Sequence, residues 1–199
     1  MTYKPDLPSL VSSRICHDLI SPVGAISNGL ELLESLMSRT PELALIADSV
    51  DSAKTKLQYF RVCFGHASVG AVIGRNEVEK TGTAMLTGPR TTIDWQLDDD
   101  SYPRVSVRLV YLLLLCAETA LPLGGDITVS QSSTGWSIDV TAPRLNRSEA
   151  WDMLDIGAPL SEVTPAQVQF VMVAEQVVGA GKVLKVDFGE TTLNLSLLV

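Results

Sequence analysis

The sequence predicts an α+β chain: an N-terminal antiparallel helical hairpin, then a mixed sheet with helices packed on one face. Three observations predict it. Two heptad seams stand on either side of a short capped connection in the first third of the chain. Glycines at 65, 70 and 74 end that pattern. Beyond them, strand-like segments alternate with apolar helical runs and turn signals.

The first helix is read from Leu19, Val23, Ile26, Leu30, Leu33 and Met37, which recur in alternating steps of four and three, the spacing of a bundle seam. In Ser38-Arg39-Thr40-Pro41, Thr40 suits an N-cap and Pro41 the first helical position. The second seam is Ile46, Val50, Ala53, Leu57, Phe60 and Phe64. Long helices joined so briefly should lie antiparallel. A lone hairpin cannot enclose a core on all sides, so a four-helix bundle made by two chains, a homodimer, is expected over a hairpin covered by the rest of its own chain.

A boundary is placed near residues 68 to 76, giving domains 1–70 and 76–199. Thr91 to Leu97 reads as a strand and Arg104 to Leu121 as a buried helix. Asp126 to Ser132 and Trp136 to Ala142 read as a hairpin turning at Ser133-Thr134-Gly135. Thr164-Pro165-Ala166-Gln167 is a capping box opening a helix to about Val178, which Gly179 and Gly181 end. Lys182 to Phe188 and Thr191 to Val199 form a closing hairpin around Gly189-Glu190.

With 199 residues and 46% hydrophobic content, the chain can bury a real core. A formal charge of −8 with 15 basic residues weighs against nucleic-acid binding, which needs clustered Lys and Arg. Cys16, Cys63 and Cys116 lie among apolar neighbours without a CxxC pair, which suits buried thiols in a reducing compartment. The opening MTYKPDLPSL lacks an apolar signal core. The longest apolar run, Val110 to Ala117, falls far short of the roughly 20 residues of a membrane span. A cytoplasmic chain is expected.

Chemistry must rest on few groups, since the chain holds only two histidines. His66, at the end of the second helix, is expected to bond the last carbonyls there through its imidazole. His17 flanks the first seam and can face solvent while its neighbours pack. Around it stands Ser13-Arg14-Ile15-Cys16-His17-Asp18-Leu19-Ile20-Ser21-Pro22. Pro22, five residues on, leaves the Asp18 carbonyl without its usual partner and should bend the helix. Phosphoryl transfer to imidazole needs one neutral nitrogen free to attack and the other oriented by an acceptor, and Asp18 is placed to be that acceptor. On the residues alone, a solvated helix charge and a mere kink explain Asp18 and Pro22 equally well.

The stretch resembles the H-box of two-component histidine kinases, in which the phosphoacceptor His is followed by an acidic residue and, five positions on, by Pro; His17, Asp18 and Pro22 match. RICHDLISPVGAISNGLELL, Arg14 to Leu33, is more specifically similar to ChpT-type histidine phosphotransferases of alphaproteobacteria, and YFRVCFG, Tyr59 to Gly65, to their second helix. LLLLCAETALPLGGDITV, Leu112 to Val129, resembles the family's C-terminal domain. The resemblance implies a C-terminal α/β sandwich like a degenerate histidine-kinase ATP-binding domain. The departures from kinases agree with that loss. No Asn occurs from Arg104 to Leu121, and Leu115-Cys116-Ala117 fills the region of the Mg-binding Asn. In Asp155-Ile156-Gly157-Ala158-Pro159 a proline replaces the last glycine of the kinase motif. Gly124-Gly125 reads as a turn.

The family implies a relay in which a receiver's phospho-aspartate donates to His17, which passes the group to a second receiver. The expected partners are receiver domains of a hybrid histidine kinase and of response regulators. No cofactor of the chain's own is expected, the partner receiver supplying Mg²⁺. Arg14 is a candidate to face the phosphoryl group and Arg61 a second cation near the same level. Ser13, Ser21, Gly24, Ala25 and Asn28 are expected to form the docking face, their small size allowing close approach. The competing readings are a non-catalytic dimeric docking adaptor and a residual ATP-dependent histidine kinase.

Overall fold

Asp6 opens the first helix, its Oδ1 accepting the N–H of Ser9 at 3.2 Å, and α1 then runs from Leu7–Leu36 with Pro22 inside it. The computed structural model describes residues 6–36, 40–154 and 163–198. Met37 of the first seam, with Ser38 and Arg39, lies outside the described residues. Thr40 caps α2, Pro41–Cys63, by accepting the N–H of Leu43 at 3.2 Å, with Pro41 in the first turn as expected. The chain divides into two compact units between Ala71 and Val72.

The hairpin unit packs one stripe of α1 on α2. Cys16 and Ser27 are buried and Ile20, Val23 and Leu30 half-buried. A small cleft between the helices brings Ser27 and Leu30 near Ala47 and Val50, and Ser13 meets His66, so the helices are antiparallel. The first seam needs correction as a single stripe. Leu19, Ile26 and Leu33 are 45%, 53% and 45% exposed, while Val23 and Leu30 face inward. On a helix of 3.6 residues per turn the two halves of a heptad seam diverge, and one partner helix covers only one of them.

The second unit is a two-layer α/β structure. A five-stranded sheet has the order β2-β4-β5-β7-β6, with β2 Thr91–Gln96, β4 Gly125–Ser132, β5 Gly135–Thr141, β6 Val183–Phe188 and β7 Thr192–Leu198. β2 is parallel to β4 and every other pairing is antiparallel. β1, Val72–Gly74, pairs with β3, Ser101–Pro103, in a separate two-stranded sheet. Ile127, Val129, Ile138, Val140, Leu193, Leu195 and Leu197 alternate inward, while Asp126, Asp139 and Thr192 point to solvent, so one face of the sheet is wet.

Helices cover the other face. In α4, Arg104–Thr119, residues Leu109 to Ala117 are all buried, which is why the sequence there is apolar on every side. The Leu115-Cys116-Ala117 segment is thus core. α3, Arg75–Leu86, has no counterpart in the sequence reading. Its Thr-Gly-Thr centre is a poor helix former, but Gly82 lies flat on Trp95, whose ring a Cβ would strike, and Trp95 Nε1 donates to Thr83 Oγ1 at 3.0 Å. The capping box forms, Gln167 Oε1 accepting the Thr164 N–H at 3.1 Å, but its first turn is a 3₁₀ turn, Pro165–Gln167, before α5, Val168–Gly179. Gly124 turns with φ +82° against the Arg90 carbonyl, a position closed to a side chain. Trp151, in a 3₁₀ turn, packs edge-on to Phe170 and Phe188 at 5.4 and 4.9 Å. Asp155-Ile156-Gly157-Ala158-Pro159 lies outside the described residues. No helix among the described residues is long and apolar enough to cross a membrane. Cys16, Cys63 and Cys116 are buried and form no disulfide.

Candidate phosphoacceptor site

α1 presents three faces, because side chains four and three apart share one side of a helix. Cys16, Ile20, Val23 and Ser27 face α2. Val11, Ile15, Leu19, Ile26 and Leu33 make an exposed apolar stripe. Between these two, His17, Ser21, Gly24 and Asn28 form a third face of small and polar residues. Ser21, Ala25 and Asn28 are exposed and Gly24 is half-buried, with open space where its Cβ would stand. Pro22 is exposed within the continuous helix.

The imidazole of His17 stands in solvent, 83% exposed, with Nδ1 at 3.1 Å from Asp18 Oδ1. The other carboxylate oxygen, Oδ2, accepts Nε of Arg14 at 2.6 Å. Arg14 is therefore engaged with Asp18 along the helix, one turn apart, rather than directed at a space beyond His17. The bond to His17 first, and that to Arg14 next, hold the Asp18 carboxyl below the usual carboxylate range. A carboxylate beside Nδ1 favours the neutral tautomer with its proton on Nδ1 and its lone pair on Nε2.

α2 contributes to the same end of the hairpin. Burial pushes the Cys16 thiol up, and the charge of Arg61, in the last turn of α2, partly offsets this. Ser13 is half-buried, and its Oγ accepts the backbone N–H of His66 at 2.6 Å. His66 thus bonds through its main chain and not, as the sequence suggested, through an imidazole capping its own helix. No group of three or more His, Cys, Asp or Glu among the described residues is arranged to hold a metal.

A family model described as the histidine phosphotransferase C-terminal domain matches residues 75–192, nearly the whole second unit. The chain belongs to the histidine phosphotransferase family. This family member is 39% identical over 125 residues to the protein phosphotransferase ChpT of Brucella abortus (strain 2308), a match covering 62% of this chain and 60% of that protein. The match therefore spans less than two thirds of that relative's length. The solved structure of a bacterial phosphotransferase at 1.7 Å superposes with a TM-score of 0.70 at 26% identity, covering 99% of this chain and 98% of that one. Full-length ShkA, solved in complex with AMPPNP, shares the fold at a TM-score of 0.50 and 14% identity, covering 94% of this chain and 44% of that one. The family resemblance holds, with Leu112 to Val129 inside the matched region, and so does the α+β class. The family model lies outside the hairpin, so the roles of Arg14, His17 and Asp18 rest on their geometry.

Proposed function

We propose that the chain is a histidine phosphotransferase of a two-component phosphorelay, with His17 as the phosphorylated group. The observation that carries this reading is an imidazole standing free in solvent with only Nδ1 engaged, by a carboxylate that is itself held by Arg14. Nε2 of His17 attacks the phosphorus of a receiver's aspartyl phosphate. A P–N bond forms as the P–O bond breaks, and the receiver's carboxylate leaves. The proton stays on Nδ1, and Asp18 stabilises the positive charge that the ring acquires. The same steps in reverse deliver the phosphoryl group to the aspartate of a response regulator. The receivers bring the Mg²⁺ that this chemistry uses, and the chain contributes a presented nucleophile and a docking face.

Ser21, Gly24, Ala25 and Asn28 suit that face, since they share the side of α1 that carries His17 and leave room above the backbone. The partners in this reading are receiver domains of a hybrid histidine kinase and of response regulators, in the cytoplasm. A homodimer completes the bundle. Val11, Ile15, Leu19, Ile26 and Leu33 on α1, with Leu45 and Ile46 on α2, are each 45% exposed or more, an apolar surface that a second hairpin would cover.

The test mixes the chain with a receiver carrying ³²P on its aspartate and follows acid-labile, base-stable label. Wild type should take up label and His17→Gln should not. Label on neither, with several receivers tried, would favour the docking adaptor, and labelling of His17 from ATP would favour a kinase.

A further inference from the structure

The hairpin is joined at the end where α1 gives way to α2, and His17 lies toward the other, open end. There the chain leaving α2 is tied to α1. The Phe64 N–H still bonds the Phe60 carbonyl, but the N–H of His66 goes to Ser13 Oγ at 2.6 Å, across 53 residues of sequence. Gly65, between them, is buried, and a Cβ there would collide with the Arg61 carbonyl and stand 3.2 Å from Ser13 Oγ. The backbone of α2 itself, through the Arg61 carbonyl, excludes a side chain at this position, and Ser13 of α1 packs close beside it. Cys16 and His17 lie one turn beyond Ser13 on α1, and Arg61 lies one turn before Gly65 on α2. In an antiparallel pair these turns face each other, and the influence of Arg61 on the Cys16 thiol agrees.

We propose that Ser13 is a positioning residue for phosphoryl transfer, clamping the end of α2 through the His66 N–H so that Arg61 is held beside the His17 turn. The inference rests on His17 being the phosphorylated group. Phosphorylation brings negative charge to Nε2, and a guanidinium offers planar donors to phosphoryl oxygens. A helix end is where a hairpin frays first, so an untied α2 would carry Arg61 away from the reaction.

The test labels His17 in the full chain with phosphoramidate, a small phosphoryl donor that needs no receiver, and follows the product by ³¹P NMR. Ser13→Ala should slow labelling about fivefold, the factor that one neutral hydrogen bond contributes. Arg61→Ala should slow it at least as much, the double variant no more than Arg61→Ala alone, and Ser13→Thr should restore the rate. Amide exchange should quicken at His66 in Ser13→Ala and stay unchanged through the middle of α2, which separates a local release from unfolding. Wild-type labelling in Ser13→Ala, or independent multiplicative losses in the double variant, would overturn the clamp. A wild-type chain labelled by phosphoramidate that exchanges nothing with receivers overturns the relay alone, and the clamp is still judged on the labelling rates. A wild-type chain that phosphoramidate cannot label at His17 overturns both.

Discussion

The two units bury their apolar residues to very different degrees. In the second unit, α4 and strands β4, β5 and β7 contribute Leu112, Leu114, Val129, Ile138 and Leu195 with essentially no exposure. In the hairpin, burial is concentrated at Cys16, Tyr59, Val62 and Cys63, while Ile15, Leu19, Ile26, Leu33 and Leu45 stay open. The difference teaches a division of labour. The second unit closes its own core, whereas the hairpin leaves an apolar stripe of α1 open and carries His17 on a different face of the same helix.

The comparison breaks most sharply under charge. In the proposed homodimer, Ile26→Glu with Leu33→Glu should lower the association constant by at least about a hundredfold, since the introduced charges would be desolvated without partners. Analytical ultracentrifugation should show the mass halve while the tryptophan-reported melting of the second unit stays put. Leu195→Ala should do the reverse. It should remove about 3 kcal/mol of the second unit's stability in urea titration and leave the mass unchanged, because a fully buried leucine in a closed core leaves a cavity. Gly82→Ala should cost about 2 kcal/mol, an overpacking effect that outweighs the better helix propensity of alanine, because its Cβ meets the Trp95 ring. A more stable Gly82→Ala protein would show that α3 shifts away from β2 freely.

How far the sequence was legible follows the same division. Periodicity exposed α1 and α2, and the capped Thr40-Pro41 start was readable because its partners are local. The five strands of the main sheet and α4 were found from alternation and from an unbroken apolar run. α3 was missed because Thr81-Gly82-Thr83 weakens the helical signal, and what stabilises it, the ring of Trp95, comes from another element. The two short strands β1 and β3 offer three residues each, too few for a pattern. At the candidate site, Asp18 was legible as the neighbour of His17. Arg14 as the partner of Asp18 required the helical side-chain geometry, and the Ser13–His66 bond joins residues that no local pattern relates.

The smallest expected effect sharpens the site itself. Arg14 and Asp18 form an exposed pair one turn apart, 78% and 48% exposed, and solvent screening leaves such a pair only a small contribution. Arg14→Ala should therefore slow phosphoryl transfer by only about twofold. The pH dependence separates its role from that of the histidine. Because the Asp18 carboxyl is held below its ordinary range in the folded chain, the pair's contribution is present at neutral pH and is lost only as pH falls through that lowered value. In Arg14→Ala the Asp18 carboxyl, followed by NMR, should titrate at higher pH than in wild type yet still below an unpaired aspartate, since the bond to His17 is the larger of the two causes. A return to the ordinary aspartate value would mean that Arg14, and not the imidazole, orders the carboxylate. Asp18 would then be held for the helix rather than for the ring, and the orientation of His17 would need another source.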